Sequence, residues 1–240
     1  MKLFSPDQAI VLVQLLIAHF LADFVLQSTA WVNDKKQKGL LSWGFYKHLL
    51  VVGVLTLIAI GWSNVGIVVL ITITHGIIDY WKFKVDNNGT LKYFIIDQLL
   101  HILILIISWL LILNGWNQFA EFLCSLKSSF DAQLMIFAYI FVMWPVGYII
   151  KFATKDLITQ TNTDNIKRGG MVIGIFERMI ILTFVLFGQY EAIGFLITGK
   201  SILRFGDGQK KETEYVLVGT MISYALAIIT GVFVNLFLER

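Results

Sequence analysis

Cysteine is almost absent from this chain: Cys124 is the single one, which excludes an intramolecular disulfide and leaves the redox compartment unread. Beside Leu123 and Leu126, that lone thiol is expected to be a packing residue. Charge is also scarce. Asp, Glu, Lys and Arg make up 15% of the 240 residues, and the net charge is only +3. Lysines that set membrane orientation explain that excess, so nucleic-acid binding is not indicated. No nucleophilic serine or cysteine signature stands out, and the polar stretch 153–169 has no phosphate-binding glycine motif. A cleavable signal peptide is not expected either. The first apolar run lacks a strongly basic flank and a small-residue cleavage site, and it carries His19 and Asp23.

What the chain has in abundance is apolar length. Hydrophobic residues reach 57%, with 19 phenylalanines, and the mean hydropathy is +0.75. Apolar runs of about 18 or more residues recur, long enough to span a bilayer. The fold class is therefore all-α, a polytopic helical membrane protein. About eight transmembrane helices are predicted, near 7–28, 45–62, 64–83, 91–113, 131–152, 170–188, 190–204 and 215–238. Lys35, Lys36, Lys38 and Gly39 punctuate the first break, Ser63 and Asn64 the second, and Asp86 to Gly89 the third. Pro145 predicts a kink in the fifth helix. Trp116, Phe119, Phe122, Leu123 and Leu126 predict a short interfacial helix between the fourth and fifth. The loop 153–169 is expected to be a polar, mobile connection. Gly170 with Gly174, and Gly219 with Ser223, have the spacing that lets helix backbones approach. This divides one membrane domain into a four-helix unit at 1–113, an outer segment at 114–130 and a second four-helix unit at 131–240.

Lysine and arginine are enriched near membrane ends that stay cytoplasmic. With eight spans one side collects Lys35, Lys36, Lys38, Lys47, Lys82, Lys84, Lys92 and most later cations, while the other keeps Lys2, Lys127 and Arg240. The crowded side is expected to be cytoplasmic, with both termini on the non-cytoplasmic side.

Within this frame the four histidines are the informative residues. Three have an aspartate four positions away: His19 with Asp23, His75 with Asp79, and His101 with Asp97. Residues at i and i+4 share a helix face. The first and third helices carry their pairs in their later halves, and the second and fourth carry His48, Asp97 and His101 in their earlier halves. All seven side chains are thus expected at similar depth in the cytoplasmic half of the first unit. An ionisable group at a helix centre costs about 2.5–3.5 kcal/mol on insertion scales, so such groups face the bundle interior and mark function. Imidazole suits zinc or iron and carboxylate suits manganese. His19, Asp23, His48, His75, Asp79, Asp97 and His101 are accordingly the candidate ligands of a divalent metal, Zn, Mn or Fe. Seven donors exceed the four of one tetrahedral zinc, which leaves open two metals, or one metal whose histidines are oriented by aspartates. The competing reading is a set of buried His/Asp hydrogen bonds without metal. Gln27 and Gln98 are minor further candidates.

The second half carries Glu177, Arg178, Lys200, Arg204 and Glu214. A structural network is the default, with Glu177 neutralising Lys200 or Arg204. The functional alternative is that Lys200 and Arg204, with Glu177 beside them, bind an anionic lipid headgroup or phosphate.

Three functions fit. The outer halves of helices two, three and four offer little beyond Thr56, Thr72 and Thr74, so the site is closed on that side. This favours a metal-dependent enzyme, hydrolase-like, acting on an amphiphilic or lipid-linked substrate at the cytoplasmic leaflet, with Asp23, Asp79 or Asp97 as general base. The alternatives are a divalent-metal transporter, for which Asp7 and Gln14 are weak support, and a non-catalytic sensor or partner subunit with a structural metal. The sequence does not decide whether the chain is an enzyme, and it leaves oligomeric state open.

The segments Ala18-His19-Phe20-Leu21-Ala22-Asp23-Phe24-Val25-Leu26-Gln27, Thr74-His75-Gly76-Ile77-Ile78-Asp79 and Asp97-Gln98-Leu99-Leu100-His101 resemble a family of bacterial integral-membrane proteins, the domain-of-unknown-function 3307 family. The resemblance covers mainly the first half. Gly174 to Arg178 and Lys200 to Arg204 are similar to patterns of its longer members. It implies placement in a bacterial inner membrane and carries no assigned reaction.

Overall fold

The computed structural model describes residues 4–86, 89–154, 164–204 and 210–238, with side chains omitted at 164–168, 203–204 and 210–217. Among the described residues every regular element is helical. Seven helices among them are long and apolar enough to cross a membrane. The segment expected as an eighth span, Tyr190–Arg204, is helical but only 15 residues long. That is short of the roughly 20 a bilayer core requires. The expectation of both termini on one side depends on that segment crossing.

The chain divides into two compact units, Met1–Cys124 and Ser125–Arg240. The first is built on four spans. Helix α1 runs from Pro6 to Phe20, with a capping box at Ser5 and Gln8. It continues into a wider π-helical turn, Leu21–Val25. Helices α3 (Trp43–Ile60), α4 (Val65–Val85) and α5 (Leu91–Leu113) follow. They close a ring in which α1 packs on α3, α3 on α4, α4 on α5, and α5 back on α1. Leu15, Val52, Ile71, Leu105 and Leu110 form the buried apolar core, with Phe119 packed against it. Large apolar side chains such as Ile58, Ile77 and Leu99 point outward. In water they would be a liability, whereas against lipid they are the expected surface.

One element had not been anticipated. Residues read as a lysine-rich break form helix α2, Thr29–Lys38, capped by Ser28. It packs along the start of α3. Gly44 permits this, because a Cβ there would lie 2.8 Å from both the Cα and the carbonyl oxygen of Trp31. Asp34 fixes the same junction, accepting from Ser42 Oγ (2.6 Å) and the Gly44 amide (3.0 Å). Lys38 Nζ lies 2.7 Å from Asp34 Oδ1. Lys38, with these donors, holds the Asp34 carboxyl well below the usual carboxylate range. Because the obstruction at Gly44 is backbone, Gly44→Ala is expected to cost about 1–3 kcal/mol by overpacking and to shift α2. A lowered thermal midpoint of the detergent-solubilised variant checks this.

The segment between the fourth and fifth spans forms α6, Trp116–Ser128. It exposes Trp116 and Leu123, as an interfacial helix requires. Cys124 is exposed, not packed, because it lies on the helix face turned away from the core.

In the second unit the fifth span is divided at Trp144 into α7 (Phe130–Met143) and α8 (Pro145–Ala153). This is where Pro145 cannot donate. Helix α9 covers Asp164–Leu186, α10 covers Tyr190–Arg204, and α11 covers Lys210–Phe237. Helix α9 starts before the expected position 170, and the rest of the expected loop, 155–163, lies outside the described residues. Helix α11 packs on α7, α8 and α9, around Val142, Ile181, Leu182, Val185 and Ala227. Arg178 Nε donates to the Val142 carbonyl and its Nη2 to that of Met143 (3.1 Å). These are carbonyls at the broken end of α7, so a buried cation satisfies backbone that the proline interrupts. Among the described residues, Gly170 and Gly174 do not serve helix packing. A Cβ at Gly170 would meet nothing within 4 Å, and one at Gly174 would meet only Arg178 of the same helix. Gly219 does face α8, near Ile150 and Thr154.

Candidate metal centre

The ring α1–α3–α4–α5 brings the histidines together. Directions alternate around it, so the end of α1, the start of α3, the end of α4 and the start of α5 share one level. His19, His48, His75 and His101 are all buried there, with Asp79 and Asp97. The ring centroids of His75 and His101 are 4.1 Å apart, those of His48 and His75 5.0 Å, and those of His19 and His101 5.1 Å.

The tightest group joins three helices. His48 Nε2 and His75 Nε2 are 3.0 Å apart. Asp23 Oδ1 lies 3.4 Å from the first and 3.3 Å from the second. Asp23 belongs to the π-helical turn, and such turns often occur at functional sites. Asp79 Oδ2 stands 3.7 Å from His48 Nε2. Two further groups overlap the first: His19, Asp23 and His101, and His75, Asp79 and His101. In each, one donor atom per residue lies within 4.8 Å of the others. Among the described residues, these are groups that could hold a metal ion. Asp97 belongs to none of them, although its Oδ1 is 3.7 Å from His101 Nδ1.

Two lysines hold the outer aspartates. Lys35 Nζ donates to Asp79 Oδ2 at 2.7 Å, and its side chain is fully buried. Burial pulls this ammonium below the usual lysine range, with Asp79 opposing the shift. Lys82 Nζ donates to Asp97 Oδ2, also at 2.7 Å. Sequence reasoning treated both lysines as orientation charges. The periodicity linking Lys82 to α4 was available. The position of Lys35 was not, because it depends on α2 folding back over α3.

Gln98 proves to be a central residue. Its Nε2 donates to Asp97 Oδ2 (3.1 Å) and Asp23 Oδ2 (3.5 Å); ionised carboxylates can only accept, which fixes the orientation of the amide. Its Oε1 therefore faces His19 Nε2 at 3.3 Å, and that nitrogen must be the donor. In neutral His19 the remaining lone pair is then on Nδ1, 3.8 Å from Asp23 Oδ1. Two acceptors facing each other want a cation between them.

Several buried atoms here make no hydrogen bond among the described residues: Asp23 Oδ1, His48 Nδ1, Asp97 Oδ1 and both ring nitrogens of His101. Each such group ordinarily costs about 1–3 kcal/mol. A purely structural network of His/Asp hydrogen bonds would not leave them unmade. Beside the imidazoles is a small cavity, sized for about one water, lined by His19, His75, His101, Thr56 and Thr74 and otherwise by aliphatic side chains such as Val52, Ile71 and Leu105.

The second-half cluster is different in kind. Lys200 Nζ donates to Glu177 Oε2 at 2.6 Å, the neutralising pair of the default reading. The Arg204 and Glu214 side chains lie outside the described residues.

Fold and site together define a polytopic helical membrane protein with a buried His/Asp centre in its first four spans. A family model described as protein of unknown function (DUF3307) matches residues 11–130, and the chain belongs to that family. The matched region contains all seven candidate ligands, Lys35, Lys82 and Gln98. No curated protein and no solved structure matches the chain.

Proposed function

We propose that this chain is a metal-dependent membrane enzyme, hydrolase-like, whose centre lies toward the cytoplasmic leaflet of a bacterial inner membrane. The observation that carries the reading is the triangle of Asp23 Oδ1, His48 Nε2 and His75 Nε2, with edges of 3.0, 3.3 and 3.4 Å. Nitrogen and oxygen ligands at about 2.0–2.1 Å from a tetrahedral zinc are about 3.3–3.4 Å from one another. Three protein ligands with an open fourth position are the usual pattern of a catalytic zinc.

A bound divalent ion would supply acidity, lowering the pKa of a coordinated water to about 7. The protein's own groups would do the rest. Gln98 and Asp23 orient His19, while Lys35 holds Asp79 in place. Asp97 lies outside the ligand groups and its Oδ1 makes no hydrogen bond among the described residues, which supports a general-base role for it. Lys82 anchors its other oxygen. The aliphatic core of Leu15, Val52, Ile71 and Leu105 beyond the histidines offers no polar route, which supports an enzyme over a carrier. An amphiphilic or lipid-linked substrate suits a site at this depth.

Elemental analysis of detergent-purified protein, with hydrolysis of short-chain carboxyl and phosphate esters in mixed micelles, tests the reading. Stoichiometric metal is expected, and Asp97→Asn should retain it while losing at least about 100-fold in turnover. Metal-free protein, or metal-dependent flux in proteoliposomes without hydrolysis, would overturn it.

A further inference from the structure

One ion held by Asp23, His48 and His75 leaves much of the centre unexplained. His101 is 3% exposed, and neither of its ring nitrogens makes a hydrogen bond among the described residues. His19 is fixed with its proton on the Gln98 side, so that Nδ1 offers a lone pair toward Asp23. Metal-bound histidines characteristically donate their other N–H to a carbonyl or carboxylate, and the His19–Gln98 contact has that form. These are independent signs of a second cation position on the α1–α5 side.

We infer that the centre is binuclear: a second divalent ion binds between His19 and His101, with the Asp23 carboxylate shared between the two ions. This deepens the proposed function and rests on the first ion site proposed there. The bridge must be Asp23, because it is common to both ligand groups. A carboxylate has about four lone-pair sites, whereas a neutral imidazole offers a single one. The alternative triad, His75 with Asp79 and His101, would require His75 to serve two ions. Asp23 Oδ1 already lies within 3.8 Å of nitrogens on His19, His48 and His75.

Charge orders the two sites. Asp23, Asp79 and Asp97 stand against the ammonium groups of Lys35 and Lys82, a formal balance of about −1 with neutral imidazoles. The first divalent ion enters a negative centre and the second enters a positive one, so the second step is the weaker, by about tenfold or more.

Manganese is the probe, because two Mn(II) ions sharing a carboxylate give an exchange-coupled electron paramagnetic resonance spectrum and an isolated ion gives a simple six-line one. The full chain in detergent is expected to bind two Mn(II) in two steps, with the coupled signal growing in the second. His101→Ala should bind one, retain the first step within about threefold and show only the uncoupled signal. If that variant fails to fold, the wild-type titration stands alone as the test. Saturation at one ion, without coupling, would overturn the binuclear centre and leave the mononuclear reading intact. No bound manganese or zinc at all would overturn both.

Discussion

Replacing His48 or His75 with alanine is expected to lower zinc affinity by more than 100-fold, while Gln98→Ala lowers it by about 10- to 100-fold. The smaller figure is the usual effect of removing a group that only orients a ligand. The larger follows from removing a member of the triangle itself, since the ion then keeps two of its three protein donors. The two histidines come from α3 and α4, and their nitrogens are 3.0 Å apart. Competition against a chromophoric chelator, at constant pH because imidazole must be neutral to bind, measures all three. Equal, small effects for His48, His75 and Gln98 would show that the triangle is not where zinc goes.

Lys35→Met is expected to destabilise the apo protein by about 3–5 kcal/mol, the range for removing one partner of a buried pair. The side chain is fully enclosed and its ammonium is 2.7 Å from Asp79. Without it the aspartate is left as an uncompensated charge. Two companion measurements separate this from lost packing. Lys35→Met with Asp79→Asn should recover most of the loss, because a neutral pair has no charge to orphan. Saturating zinc should also stabilise the single variant more than the wild type, since a cation nearby takes over part of the task of Lys35. A single variant as stable as wild type in thermal melts would place Lys35 outside the centre.

How far the chain could be read in advance depended on whether a feature is local. The spans were legible because apolar length is local, and α5 was expected at its observed bounds, 91–113. The i, i+4 pairing of His19 with Asp23 was legible for the same reason, although the π-helical turn that carries Asp23 was not. Convergence of the four histidines followed from alternating helix direction alone. Three features depended on tertiary contact and escaped. Helix α2 looked like a break because its lysines and Gly39 dominate its composition. Its identity as a helix rests on the Ser28 cap and on the notch at Gly44. Gln98 looked like a helix-end polar residue, yet it faces both Asp23 and His19 across the bundle. Gly170 and Gly174 carried a packing signal that the described residues do not use. The spacing permits close approach, but no partner backbone among the described residues is there to approach.

X-ray absorption at the zinc edge, on protein loaded with less than one equivalent, asks most directly whether the first four spans build a metal centre. The expected first shell is nitrogen and oxygen at about 2.0–2.1 Å, with outer-shell scattering that fits two imidazoles and falls to one in His48→Ala. A shell of oxygens alone, unchanged by that substitution, would contradict it.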